Sequence, residues 1–215
     1  MRLLFVRHGQ TPANVGGVLE TRVPGPGLTD LGQEQARALP AALADERIDA
    51  LYVSTMRRTQ LTAAYLGEAR GLPLLERAGL REIASGDYEQ HTTTASHHAY
   101  LSYLWRWADG DLEPRTPGGE SGHEVMGRVD EVVAEAAASG HESVALVCHG
   151  ALIRSWAGFR ANLGGDFVRA NPVVNTGIVV VEGSPSDGWR ALSWLGEGVT
   201  AAAHIGADGP AGEPA

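Results

Sequence analysis

Two stretches decide the fold: Leu3-Leu4-Phe5-Val6-Arg7-His8-Gly9 and Val144-Ala145-Leu146-Val147-Cys148-His149-Gly150. Each is a short apolar run that closes on His-Gly. A run with no polar face reads as a strand buried on both sides, as in a parallel sheet covered by helices. Ala50–Val53 is a third strand of this kind. Working outward, Thr11-Pro12 reads as a helix cap followed by proline at the first helical position. Thr29-Asp30, with Gln33, caps a helix reaching about Leu43. Ser54 or Thr55 opens another, through about Leu66. A weaker extended stretch spans Leu74–Ile83, and His91–Trp107 is an aromatic, amphipathic helix. Glu120–Ala138 is a long helix, and a further helix starts near Ala151. Ile178–Val181 and Trp189–Trp194 are late strands around the turn Ser184–Gly188. Val15–Leu28 and Asp109–Gly119 read as loops, the first on the surface. Alternating strands and helices predict an α/β chain, a three-layer α/β/α sandwich around a mostly parallel central sheet. Residues 1–200 read as one domain, and 201–215, rich in alanine, glycine and proline, as a mobile tail.

Composition narrows the chemistry. The chain has 215 residues and a net charge of −9, with no basic run. No nucleic-acid or anionic-membrane partner is expected of such a surface. All 17 basic residues are arginine, so Schiff-base chemistry and the lysine-dependent phosphate loop are excluded. Cys148 is the only cysteine, which rules out an internal disulfide and a multi-cysteine metal site. The apolar stretch at the N-terminus is too short for a secretory or membrane segment, so a cytoplasmic location is expected.

In parallel α/β sheets, ligands bind beyond the carboxyl ends of the strands. If the first two strands are neighbours, His8 and His149 face each other across one crevice, and Gly9 and Gly150 permit close backbone approach. Ser54, Arg57, Arg58 and Thr62 follow the third strand. Arginine forks suit phosphate oxygens, and Arg7, Arg57 and Arg58 all lie near strand ends; a surface ion pair is the expected fate of Arg57 or Arg58.

Arg7-His8-Gly9-Gln10-Thr11 with Asn14 resembles the opening motif of the histidine phosphatase superfamily, also called phosphoglycerate mutase-like. Leu28-Thr29 with Gly32 and Gln35-Ala36 resembles its next block. Ser54, Arg58 and Thr62-Ala63 resemble a third, and Leu80, Glu82, Gly86 and Glu89 a fourth. Pro117-Gly118-Gly119-Glu120-Ser121, His149-Gly150 and Asn175 complete an ordered set. The resemblance implies a phosphoglycerate mutase-like fold and a metal-independent phosphomonoester hydrolase without cofactor, acting on a small phosphorylated molecule. It implies His8 as nucleophile and Arg7, Arg58 and His149 as the phosphoryl cradle. Glu82 would be the general acid and then base, and Asn14, Gly9, Gln10 and Gly150 would bind substrate. Gln90 departs from the pattern, standing where many such phosphatases have glycine.

Three other readings compete. A mutase is one, although the arginine pair that grips a carboxylate in mutases is missing here. A cysteine-dependent phosphatase is a second, because Cys148 and Arg154 satisfy C-x-x-x-x-x-R after a strand. A non-catalytic phospholigand-binding protein is the third. Residues 91–116 are the expected substrate lid, with His91, His97, His98, Tyr100, Tyr103, Trp105, Arg106 and Trp107 as candidates to meet the leaving group. The His97-His98 pair is not expected to hold a metal, since adjacent residues diverge on a helix.

Overall fold

The computed structural model describes residues 1–195 and 197–198; the tail expected at 201–215 lies outside them. In chain order the elements are β1 (Arg2–Arg7), α1 (Pro12–Val15), α2 (Asp30–Ala42), β2 (Ala50–Ser54), α3 (Arg57–Arg70), β3 (Leu74–Arg77), α4 (Thr94–Ala108), α5 (Gly122–Ala138), β4 (Ser143–Cys148), α6 (Gly150–Arg160), α7 (Gly165–Ala170), β5 (Ile178–Ser184), β6 (Gly188–Trp194) and β7 (Glu197–Gly198). They build one mixed sheet in the order β3-β2-β4-β1-β5-β6-β7. Its centre, β3-β2-β4-β1, is parallel, whereas β5, β6 and β7 each run antiparallel to the strand before them in the sheet.

Alternation along the strands divides the core into two faces. Leu3 and Phe5 of β1, Tyr52 of β2 and Leu146 of β4 join Tyr100, Leu104 and Trp107 of α4, Val125 and Val129 of α5 and Trp156 of α6. Leu4, Val6, Leu51, Val53 and Val147 point the other way, onto Leu39 of α2 and Ala63 and Leu66 of α3. Both faces are covered, which is why these strands lack a polar side. The three-layer sandwich follows from that coverage.

Several boundaries differ from the sequence reading. Thr29 alone caps α2, accepting the Gly32 amide at 3.0 Å; Gln33 is one position too late and takes the Tyr65 hydroxyl at 3.3 Å instead. Ser54 stays in β2, and α3 begins only at Arg57 after Met56 and runs to Arg70, where Gly71 adopts φ +64°. The short α7 has too few residues to show a helical period and was not expected. The loop 15–28 is only partly superficial, because Leu19 is buried and joins the core.

A candidate active site at the strand ends

β1 and β4 are paired from Arg2↔Ser143 to Arg7↔Cys148, so the His-Gly corners that follow them are side by side. The two imidazoles lie 5.3 Å apart in an edge arrangement. Nδ1 of His8 is 2.8 Å from the Gly9 carbonyl oxygen. A carbonyl can only accept, so Nδ1 carries the hydrogen and the lone pair is on Nε2. Burial, followed by the charges of Arg58 and Arg7, holds His8 well below the ordinary value of 6.5. At neutral pH it is therefore an uncharged imidazole with a free nucleophilic nitrogen.

His149 has the opposite tautomer. Arg58 Nε donates to its Nδ1 at 3.3 Å, so Nε2 carries the hydrogen and donates to Ser54 Oγ at 2.9 Å. Burial first, then Arg58, keeps this ring neutral as well. Ser54 and Arg58 thus converge through His149, although a strand end and a helix start separate them. Thr62, one turn beyond Arg58, accepts the Gly9 amide at 2.9 Å.

The cations are deeply placed. Arg7 is 1% exposed and Arg58 3%, and desolvation lowers both, Arg7 to about 10, so both remain charged at neutral pH. Arg7 Nη1 donates to the Val173 carbonyl at 2.7 Å and Arg58 Nη2 to the Glu20 carbonyl at 3.2 Å. Among the described residues, Arg7 Nε and Arg58 Nη1 find no hydrogen-bond partner. Buried donors without acceptors are costly and call for an explanation; both arginines line the cleft described below, and Arg58 Nη1 also lies against Gly25.

Glu82 follows a short 3-10 turn and is bracketed by the fully buried Leu80 and Ile83. Its carboxylate accepts the amides of Ile83 at 2.9 Å, Ala151 at 3.2 Å and Leu152 at 3.0 Å. No side chain caps α6 from His149, so Glu82 caps it from across the fold. Burial nevertheless raises Glu82 above the ordinary 4.5, outweighing these amides and Arg58. A carboxyl group shifted in this direction keeps its proton to higher pH than a free one, as a general acid requires.

Arg7, His8, Thr11, Asn14, Glu20, Thr21, Arg58, Glu82 and Tyr100 line one cleft, with Ala13, Val18 and Leu19 as its apolar wall. Asn14 Oδ1 accepts from the Thr11 amide and from Asn175 Nδ2, at 3.0 and 3.2 Å, which leaves the Asn14 amide as donor. Gln10 does not line the cleft; its Oε1 accepts from Thr29 at 2.9 Å. Gly9 serves packing, since a Cβ there would come within 2.6 Å of the Gly32 carbonyl oxygen. Gly150 is buried as the first residue of α6. Arg57 is exposed, but among the described residues it does not make the surface ion pair expected for one of the two. Of the eight candidates in segment 91–116, Tyr100 alone lines this cleft, its hydroxyl donating to Ile83 O at 2.9 Å. His97 meets the Gly17 carbonyl and His98 the Trp105 ring, so the two point apart. Glu20 and Thr21 were missed because a Gly/Pro-rich loop carries no periodic signal.

The cysteine reading fails here. Cys148 is fully buried in β4, and burial raises its thiol far above the ordinary 9.0, away from a thiolate. Arg154 is committed to the Val168 carbonyl, at 2.7 Å from Nη2. Gly150 to Arg154, which would have to form an anion-binding loop, already lie in α6.

A neutral imidazole beside two buried guanidiniums, with a buried carboxyl group whose hold on its proton is strengthened, is an arrangement suited to phosphoryl transfer. The sequence profile of the histidine phosphatase superfamily (branch 1) matches residues 3–195, and the chain belongs to that superfamily as an enzyme of the phosphatase type. It is 31% identical over 221 residues to glucosyl-3-phosphoglycerate phosphatase of Mycolicibacterium vanbaalenii, covering 98% of this chain and 88% of that protein. It is 34% identical over 211 residues to the PE-PGRS family protein PE_PGRS11 of Mycobacterium tuberculosis, covering 89% of this chain but only 36% of that longer protein. The structure of a mycobacterial glucosyl-3-phosphoglycerate phosphatase in complex with VO3 superposes with a TM-score of 0.76 at 31% identity, covering 91% of this chain and 99% of the other.

Proposed function

We propose that the chain hydrolyses phosphate monoesters of small metabolites in the cytoplasm through a phosphohistidine at His8. His8 Nε2 attacks phosphorus as the ester P–O bond breaks, and Glu82 delivers its proton to the leaving oxygen. Glu82, now a carboxylate, takes a proton from water, whose oxygen attacks phosphorus as the P–N bond breaks. Phosphate leaves, with His8 neutral and Glu82 protonated again. Splitting one displacement into two lowers each barrier. Arg7, Arg58 and the Asn14 amide hold the phosphoryl oxygens and offset the charge that develops in transfer. His149 fixes the Arg58 guanidinium, and Tyr100 is where segment 91–116 meets the leaving group. Among the described residues no helix is long and apolar enough to cross a membrane.

The observation that carries this reading is the pair of partnerless buried N–H donors, Arg7 Nε and Arg58 Nη1, beside an imidazole whose lone pair is free. The relatives' names favour hydrolysis over mutase transfer. Phosphate release from an aryl phosphate in excess EDTA tests it. Wild type is expected to turn over, and His8→Ala to lose about a thousandfold or more. Turnover that survives in His8→Ala overturns the proposal.

A further inference from the structure

The residues that line the cleft divide by chemistry. Arg7, His8, Thr11, Asn14, Arg58 and Glu82 belong to the proposed phosphoryl-transfer machinery, whereas the rest of the lining is Ala13, Val18, Leu19, Glu20, Thr21 and Tyr100. Once His8 is neutral, Glu20 is the one charged side chain on that remaining wall, and it is an anion. Its position is fixed twice over. Its own carbonyl accepts Arg58 Nη2, so the residue sits directly against the guanidinium that would grip the phosphoryl group. Its neighbour Leu19 exchanges backbone hydrogen bonds with the turn opposite: Gln90 N donates to Leu19 O at 2.8 Å, and Leu19 N to His91 O at 3.0 Å.

Gln90 is unusual in itself. It holds φ +66°, a left-handed conformation that costs a residue with a side chain and that glycine would adopt freely. In exchange its side-chain amide reaches Glu20 Oε2 and donates to it. Strain of this sort persists where the surroundings impose it, and it clusters at working sites. A glutamine held in a glycine conformation so that it can orient a carboxylate at the rim of a phosphate site is a built feature.

We infer that Glu20, positioned by Gln90, selects the leaving group by charge, favouring phosphate esters that bear an ammonium or hydroxyl donor near the ester oxygen and rejecting those that bear a second anion there. This rests on the proposed phosphatase reading of the cleft. A carboxylate or second phosphate on the leaving group would lie beside a fixed like charge, and such juxtapositions are strongly disfavoured. An ammonium or hydroxyl would find an acceptor already oriented.

Two esters of the same two-carbon length separate the cases: O-phosphoethanolamine, with a terminal ammonium, and 2-phosphoglycolate, with a terminal carboxylate. Their kcat/KM ratio is measured for wild type, Glu20→Gln and Gln90→Gly, with an aryl phosphate run alongside each. Wild type is expected to favour the ammonium ester by about tenfold or more. Glu20→Gln should bring the ratio near one, mainly through KM, and Gln90→Gly should move it part of the way. A purely structural role for Glu20 would scale both esters alike and leave the ratio unchanged. A wild-type ratio near one, or a ratio that Glu20→Gln does not move, overturns the charge selection while aryl phosphate turnover upholds the phosphatase reading. A ratio untouched in Gln90→Gly overturns the positioning role of Gln90. Absence of aryl phosphate turnover in wild type overturns both readings together.

Discussion

Two neutral imidazoles with opposite tautomers stand at the centre of this molecule, and their neutrality is enforced by burial among cations. The pH dependence of activity follows. His8 must be unprotonated to attack, and its proton is lost well below pH 6.5. Glu82 must be protonated to assist departure, and its proton is retained above pH 4.5. The rate of phosphorylation should therefore peak in mildly acidic solution, with an alkaline limb set by Glu82. Glu82→Gln is expected to abolish that limb and to lower kcat by about a hundredfold or more; a pre-steady-state pH series on both proteins checks it. The same burial has a cost in stability. Unfolded imidazoles bind protons near pH 6.5, whereas His8 and His149 in the fold do not. Acid therefore pulls the equilibrium towards the unfolded chain, and the stability present above pH 6.5 declines below it. Each histidine contributes a slope of up to about 1.4 kcal/mol per pH unit. Glu82 acts with the opposite sign, since its raised value favours the folded state as pH falls. Urea midpoints between pH 7.5 and 5.5 should drop, and should drop less in His8→Gln.

At the scale of elements, the site is held by helix ends. α6 has no cap of its own, and its first amides are satisfied by Glu82 from a distant loop. A residue assigned to proton transfer is thus also structural. Glu82→Ala should leave three N–H groups, those of Ile83, Ala151 and Leu152, without this acceptor and cost about 1–3 kcal/mol in global stability, whereas Glu82→Gln, which keeps a carbonyl oxygen, should cost less. Chemical denaturation of the two variants separates the roles. α2 is fixed to the His8 corner in another way. Gly9 and Gly32 bring two backbones into contact, and a Cβ on Gly32 would run into the Gln10 carbonyl. Because the obstacle is backbone, Gly32→Ala is expected to destabilise by about 1–3 kcal/mol and to displace the corner that carries His8. A loss of stability without loss of kcat would show that the corner adapts.

Across the whole molecule, the sheet order places β4 between β2 and β1, so that residues more than ninety positions apart in sequence, such as Ser54 and His149, share a hydrogen bond. If the proposed site binds an anion, folding and binding are coupled through this arrangement. An anion that satisfies the free donors of Arg7 and Arg58 should stabilise the whole fold, by about 2.7 kcal/mol at a hundred times its Kd. Inorganic phosphate or vanadate is expected to raise the melting temperature of wild type and to have little effect on Arg58→Ala; an equal rise in both would place the anion elsewhere.

Much of this was legible in one dimension. Apolar runs without a polar face marked strands buried on both sides, because burial on two faces leaves no position for a polar residue. Arg7, His8, Arg58, Glu82 and His149 were legible because they stand at the ends of such runs or in a fixed order of short motifs. The Glu20–Gln90 pair was not, since no local spacing records that two loops seventy residues apart meet over one cleft. Neither the tautomers nor the inertness of Cys148 can be read from residue type, because both depend on which acceptors and how much water surround a group. The sequence by itself determined the layered α/β class, through periodicity, and named the candidate site residues, through strand-end position and an ordered set of motifs. The tertiary structure alone decided protonation, the cap that Glu82 gives to α6 and the charge lining the cleft, because these arise from the burial and distances created when separate strand ends converge.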